Sequence, residues 1–232
     1  MNHSQGDREA VLGRVTEALR VPAPRHHEAP SKPATHTVTA PFREWLPPVG
    51  QPKKEQIALF ARQSEVLRTE FVECASMSAA TKHLAKLAEE NGWKKLALHT
   101  GESTEAVVAK LPAELELLRI EAGYDKDALE TCDAGLTECE ALVAQTGSVC
   151  VTTLSSGGRA LSVLPPHHVV IAHRGQLVTD LAAAYELLAE KYAGNYPSYI
   201  GFITGPSRTG DIERILVLGA HGPKKLTVLL VP

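Results

Sequence analysis

The chain is expected to fold as an α/β protein with a mainly parallel sheet. Three features point there. Strand-like and helix-like segments alternate from about Lys53 onward, the order that parallel βαβ units with right-handed crossovers require. Short apolar runs at Val149–Thr153, His168–Ala172 and Leu226–Val231 read as buried strands. Capping signals punctuate the helices between them.

The amino terminus comes first. Asp7 to Arg20 carries apolar residues at Val11, Leu12, Val15, Ala18 and Leu19, the spacing of a short amphipathic helix, with Asp7 placed to cap it. Val21 to Pro52 holds 8 of the chain's 15 prolines. Proline removes backbone donors and blocks helix, so this stretch reads as an extended arm. His26, His27 and His36 lie in it and read as solvated linker residues. The expected organisation is an amino-terminal helix and proline-rich arm over residues 1–52, and one α/β domain over residues 53–232.

The body opens with a helix over Lys53–Glu70, its stripe running through Ile57, Phe60, Ala61, Ser64 and Leu67. A strand is expected at Phe71–Ala75. A helix capped by Ser76 or Ser78 follows, closing at Asn91-Gly92. Leu96–His99 reads as a strand and Glu105–Lys110 as a helix stopped by Pro112. Glu114–Asp133 is less regular, with a strand near Leu117–Ile120. After the strand Val149–Thr153 comes a polar glycine loop, Ser155–Arg159, and after His168–Ala172 a helix over Leu181–Tyr192, capped by Thr179 or Asp180 and ended by Gly194-Asn195.

The most informative stretch is Tyr199–Pro223, Y-I-G-F-I-T-G-P-S-R-T-G-D-I-E-R-I-L-V-L-G-A-H-G-P. A buried strand over Tyr199–Ile203 breaks at Thr204-Gly205-Pro206, a turn signal. Ser207, Arg208 and Thr209 then offer hydrogen-bond donors to an anion. Thr209 is placed to cap a helical turn beginning at Asp211. A strand-to-helix turn at the carboxyl end of a sheet strand is where ligands collect, and a helix start adds unpaired N–H groups. The expected ligand site is therefore Gly205, Ser207, Arg208 and Thr209, with Ser155, Ser156 and Arg159 on a facing loop. Arg208 supplies a planar fork for a carboxylate or phosphate; the alternative is that it pairs with Asp211 or Glu213 and only ties the loop. His221, between two small residues, is a further candidate ligand residue, read as a general base, a strand-end cap or part of a pocket wall.

Composition limits the function classes. The formal charge is -3 with both signs interspersed, which argues against nucleic acid as a partner. No apolar run is long enough to span a membrane, so a soluble cytoplasmic protein is expected. Cys74, Cys132, Cys139 and Cys150 form no C-x-x-C pair, unlike a zinc ribbon or ferredoxin site. No metal site and no resident cofactor are expected.

Several stretches match a known pattern. A-Q-T-G-S at Ala144–Ser148, R-A-L-S-V-L-P-P-H-H at Arg159–His168, I-T-G-P-S-R-T-G-D-I-E at Ile203–Glu213 and V-L-G-A-H-G-P at Val217–Pro223 occur in this order. With L-G-R-V-T-E-A-L-R at Leu12–Arg20, they resemble the LUD-domain family and, within it, its lactate utilization protein C group. The resemblance implies a three-layer α/β/α domain similar to the ribose-phosphate isomerase and CoA-transferase fold. It also implies a role in oxidising L-lactate to pyruvate beside iron–sulfur partner proteins, which would carry the clusters. The alternative is a stand-alone enzyme or binding module for a small phosphorylated, CoA-linked or carboxylate metabolite. Family members often carry Glu at the position of Gln145. A CoA-transferase mechanism needs a carboxylate nucleophile, so Gln145 is read as a hydrogen-bonding residue before a buried strand, and as a candidate ligand residue rather than a nucleophile.

A short amphipathic helix on a proline-rich tether cannot bury its stripe alone, so it is expected to dock on the body or on a neighbouring subunit of a homo-oligomer. Limited proteolysis is expected to cut between Val21 and Pro52 and leave a folded fragment beginning near Lys53. Unfolding of that fragment would place the arm in the core.

Overall fold

The computed structural model of the chain describes residues 3–20, 46–120, 125–210, 216–218 and 221–232. The chain divides into two units, residues 1–43 and 44–232. In the first, helix α1 spans His3–Arg20, beginning before Asp7, which is therefore inside the helix and not its cap. Val11, Leu12 and Val15 of its apolar stripe are exposed.

The second unit contains α2 (Lys53–Leu67), β1 (Glu70–Glu73), α3 (Met77–Asn91), β2 (Lys95–His99), α4 (Glu102–Val108), β3 (Glu116–Ile120), α5 (Lys126–Glu130) and β4 (Ala134–Thr137). Then come β5 (Ala141–Val143), β6 (Ser148–Thr152), β7 (His167–His173), β8 (Leu177–Val178), α6 (Leu181–Tyr192), β9 (Ile200–Ile203), β10 (Arg208–Gly210), β11 (Leu216–Leu218) and β12 (Lys225–Val231). The capping logic is visible in the bonds. Ser76 accepts from Ala79 N at 3.2 Å to start α3, and Gly92 closes it at φ 64°. Asp180 accepts from Ala183 N at 2.9 Å to start α6.

Six strands form an all-parallel sheet in the order β1-β12-β7-β4-β2-β3. A second sheet, β8-β5-β6-β9, is mixed, and the sequence does not separate it from the first. Side-chain alternation sends the large sheet's core two ways. Leu96, Leu98, Leu136, Val169, Ile171 and Leu229 pack against α3 and α4. Val170, Ala172, Val228 and Leu230 pack against Phe60 of α2 and the inner face of the small sheet. Ala97, Ile120 and Leu161 meet Leu129 of α5. Helices thus flank the parallel sheet on both faces, the expected α/β/α layering, and α6 covers the outer face of the small sheet through Leu188.

Two details differ from the sequence reading for physical reasons. The buried positions of α2 are Gln56, Leu59, Phe60 and Ser64, a stripe turned from the expected one because Gln56 is drawn inward. Its Nε2 donates to the carbonyls of Gly50 and Gln51, so residues at the end of the proline-rich stretch are tied to the body. The strand β4 was not anticipated. A side chain on Gly135 would lie 2.6 Å from the Leu161 carbonyl oxygen, so this central strand needs a glycine, and its pattern is correspondingly weak.

The parallel strand β7 opens with two histidines whose side chains go to opposite faces. His168 is fully buried with Nε2 2.9 Å from Thr137 Oγ1. His167 packs edge-on against Trp93 with Nε2 2.8 Å from Thr227 Oγ1. Thr227 donates its one proton to Glu70 Oε2 at 2.8 Å, so His167 Nε2 must carry the hydrogen of that pair. Burial, with Lys225 nearby, pushes the His167 pKa down to about 4, and burial pushes His168 down to about 3. Both rings are neutral at physiological pH. A base with a lowered folded-state pKa stabilises fully above its unfolded value near 6.5 and loses that contribution as pH falls toward the folded value. The expected observation by NMR is that the ring signals of His167 and His168 stay flat from pH 8 to 5. Titration of either ring near 6.5 would contradict its burial as a neutral group.

Candidate functional site

The last turn of α2 gathers the motifs singled out in the sequence. Gly147, at φ 66°, closes against it: a side chain there would lie 2.8 Å from Gln63 Cβ. Gly205, at φ 83°, closes against it from another direction, 3.1 Å from the Leu67 carbonyl oxygen to the position of a Cβ. Both conformations favour glycine. Arg208 Nη2 donates to that same Leu67 carbonyl at 3.0 Å, satisfying an orphan acceptor at the helix end and placing a cation where the dipole favours it. A run of hydroxyls, Thr146 Oγ1 to Ser148 Oγ at 2.7 Å and on to Thr204 Oγ1 at 2.8 Å, joins the two turns.

Beside them lies a cleft of about 450 Å³. Gly205, Ser207, Arg208 and His221 line it, together with Ser162, Val163, Tyr199 and Thr204. Ser207 donates its backbone N–H to Pro223 at 2.8 Å, which fixes the turn and leaves its hydroxyl for a ligand. Arg208 and His221 are exposed. Among the described lining residues there is no carboxylate, so the cleft suits an anion and lacks the nucleophile of a CoA-transferase reaction.

The surroundings of the cleft differ from expectation. Thr209 is not a helix cap: it sits in β10, paired with Val217 of β11 in a two-stranded ribbon. Asp211, expected to begin a helical turn, lies outside the described residues. The Gly205–Arg208 turn follows the carboxyl end of β9, but β9 belongs to the small mixed sheet. In the large sheet the turn lies at the amino ends of β7 and β12, where Lys224 N donates to Pro166 at 2.8 Å. No helix start among the described residues contributes to it.

The facing-loop residues divide. Ser155 and Ser156 are buried in their own turn, Ser155 accepting from Thr152 N at 2.9 Å and Ser156 donating to the carbonyls of Thr152 and Gly158. They hold the loop and do not reach the cleft. Arg159 is exposed and lines a neighbouring cleft of about 350 Å³. Gln145 donates to the Pro47 carbonyl at 3.0 Å, fastening the segment that enters the body.

Two acidic residues near Gln145 in sequence have definite places. Glu140 is buried, accepting from Thr152 Oγ1 and Tyr192 OH at 2.8 Å and from Lys191 Nζ at 2.5 Å. Although burial opposes it, these bonds keep its carboxyl below the usual range. It ties α6 to the small sheet. Glu138 accepts from the backbone N–H groups of Ser103 at 2.7 Å and Thr104 at 3.4 Å. It sits at the carboxyl edge of the large sheet with His99, Ser103 and His173, whose Nε2 lies 3.0 Å from Ser103 Oγ. This polar cluster carries no contiguous sequence motif and was not anticipated. Burial lowers the His99 pKa against the opposing charge of Glu138.

Among the described residues no group of three His, Cys, Asp or Glu side chains is placed to hold a metal ion, and no helix is long and apolar enough to cross a membrane. The four cysteines are buried and unpaired. Burial beside Glu140 pushes the Cys150 thiol up to about 12 and raises Cys139 further.

The family model described as LUD domain matches residues 57–231. A protein named lactate utilization protein C from Anoxybacillus flavithermus is 35% identical over 105 residues, 45% of this chain and 46% of that protein. In that match the aligned stretch spans about half the relative's length. A protein of the same name from Geobacillus kaustophilus is 26% identical over 199 residues, 81% of this chain and 83% of that one. The crystal structure of a DUF162 family protein from Deinococcus radiodurans superimposes with a TM-score of 0.63 at 21% identity, covering 79% of this chain and all of that one. That likeness shows the fold.

Gly205→Ala should lower stability by about 1–3 kcal/mol, because the residue is held at positive φ against Leu67. Arg208→Ala should cost about 1 kcal/mol, the worth of one hydrogen bond to an exposed helix end. Urea denaturation of both variants checks the order; an equal loss would mean that the Leu67 approach does not constrain Gly205.

Proposed function

Because the chain belongs to the LUD domain family, we propose that it acts, without an iron–sulfur cluster of its own, as a subunit or accessory protein of a system oxidising L-lactate to pyruvate. The observation that carries this reading is the similarity to proteins named lactate utilization protein C, extending in one case over 81% of the chain. Removing two electrons and two protons from a 2-hydroxy acid requires an acceptor. The four cysteines here are scattered, buried and unpaired, with raised pKa values. They are poor cluster ligands, since ligation needs accessible thiolates. The reading therefore assigns electron transfer to partner iron–sulfur proteins and a binding role to this chain, in the cytoplasm.

The cleft beside α2 is the proposed binding place. Arg208 has guanidinium nitrogens beyond the one given to Leu67, and with the Ser207 hydroxyl it offers a carboxylate or phosphate charge-assisted bonds. His221 lines the same cleft and adds an imidazole that can hydrogen-bond a ligand.

Deleting the gene should abolish growth on L-lactate as sole carbon source where no second copy compensates; normal growth would sink the role in lactate oxidation. For the cleft, L-lactate, pyruvate or inorganic phosphate should raise the Tm of the wild type. Arg208→Ala should remove that rise while remaining folded. An equal rise in both would put the ligand elsewhere.

A further inference from the structure

The cleft at Gly205–Arg208 is larger than a three-carbon acid requires. At roughly 30 Å³ for each water-sized group, six heavy atoms fill on the order of 180 Å³, and the cleft holds about 450 Å³. It is also not closed on its far side. Val163 lines both this cleft and the neighbouring one of about 350 Å³. That second cleft has a different character: Ala160, Val163 and Leu164 make an apolar floor, and Arg159 and Lys126 stand at its rim. Lys126 is paired with Glu130 at 3.1 Å, whereas Arg159 is exposed and enters no ion pair with the described residues. Val163 itself is 37% exposed, an apolar ridge in contact with both spaces.

We propose that the ligand is an elongated dianion with an apolar middle. One anionic group sits at Ser207 and Arg208, the unbranched segment crosses Val163 onto Ala160 and Leu164, and the second anionic group meets Arg159. The inference rests on the reading of the Arg208 cleft as an anion site and extends it to a substrate class. The physical case is the pairing of two cationic ends with an apolar floor between them. Burying a methylene on that floor improves affinity up to about fourfold, and a terminal carboxylate gains a bidentate partner only if it reaches Arg159. The two clefts are built by stretches that the sequence keeps about 40 residues apart, Arg159–Leu164 and Thr204–Arg208. Ser162, whose hydroxyl donates to the Arg159 carbonyl at 3.2 Å, belongs to the first cleft while Arg159 belongs to the second.

A third cleft, of about 300 Å³, adjoins the first across Pro206 and carries Arg68, Lys224 and Lys225. Leu226 and Pro206 line it as well, but the Glu70 carboxylate sits in it, so it is the weaker direction for a second anionic group.

The test is a calorimetric series on the full chain with acetate, L-lactate, butanoate, hexanoate, octanoate and octanedioate. Affinity should climb from butanoate to octanoate by about tenfold or more, and octanedioate should exceed octanoate several-fold. Arg159→Ala should erase the advantage of octanedioate and leave L-lactate unchanged. Val163→Trp, at an exposed position, should flatten the whole series. A flat series in the wild type, with L-lactate binding still lost in Arg208→Ala, would overturn the extension and leave the small-anion reading standing. Loss of the octanedioate advantage in Lys225→Ala but not in Arg159→Ala would overturn it in favour of the Pro206 side. Absence of binding by every member, L-lactate included, would overturn both readings.

Discussion

Two glycine-bearing turns meet the last turn of α2, and the site follows from that approach. Gly147 and Gly205 both hold positive φ, and both bring backbone within van der Waals reach of Gln63 and Leu67. A side chain at either position would force the turns away from the helix. The hydroxyl line Thr146–Ser148–Thr204 would then break, and Arg208 would lose its hold on the Leu67 carbonyl. The three motifs at 144–148, 159–168 and 203–208 are far apart in the chain. The end of one helix is the surface that brings two of them together, and Val163 brings the third to their cleft.

The interior of the large sheet sets the other constraint. β7 and β12 are paired along their whole length and covered on both faces, which requires apolar side chains on alternate sides without interruption. Two histidines at the start of β7 are compatible with this because each gives Nε2 to a threonine, His167 to Thr227 and His168 to Thr137. Leaving both Nδ1 atoms without a partner costs free energy, a cost the packing around them must offset.

Much of the fold was legible because local chemistry and tertiary role agree. Asp180 caps α6 and the helix runs over the expected Leu181–Tyr192; Ser76 and Gly92 bracket α3 in the same way. Legibility fails where tertiary demands override pattern. β4 reads Ala-Gly-Leu-Thr because Gly135 must admit the Leu161 carbonyl, and a strand made of small residues has little β signature. β5 and β8 are three and two residues long, too short to show alternation. At the site, the sequence identified Gly205, Ser207, Arg208 and His221 as neighbours of one cleft. The serines at 155 and 156, read from the sequence as facing residues, use their hydroxyls within their own turn. Polar residue type alone does not distinguish a hydroxyl that faces a ligand from one that replaces a missing backbone bond.

Glu138 has an effect on the whole molecule through its position. Open α/β sheets ordinarily receive negatively charged ligands at the carboxyl ends of their strands, on backbone N–H groups that face outward. Here the protein supplies the negative charge itself: the Glu138 carboxylate occupies the N–H groups of Ser103 and Thr104, and Gly101 leaves room for it, since a Cβ there would lie 2.4 Å from its oxygen. At this helix start the N–H groups are thus already taken by the protein's own carboxylate. Cationic side chains at Arg68, Arg208, Lys224 and Lys225, with Glu70 among them, line clefts at the opposite end of the strands. The clefts that carry these cations thus lie where the strands of the large sheet begin rather than where they end.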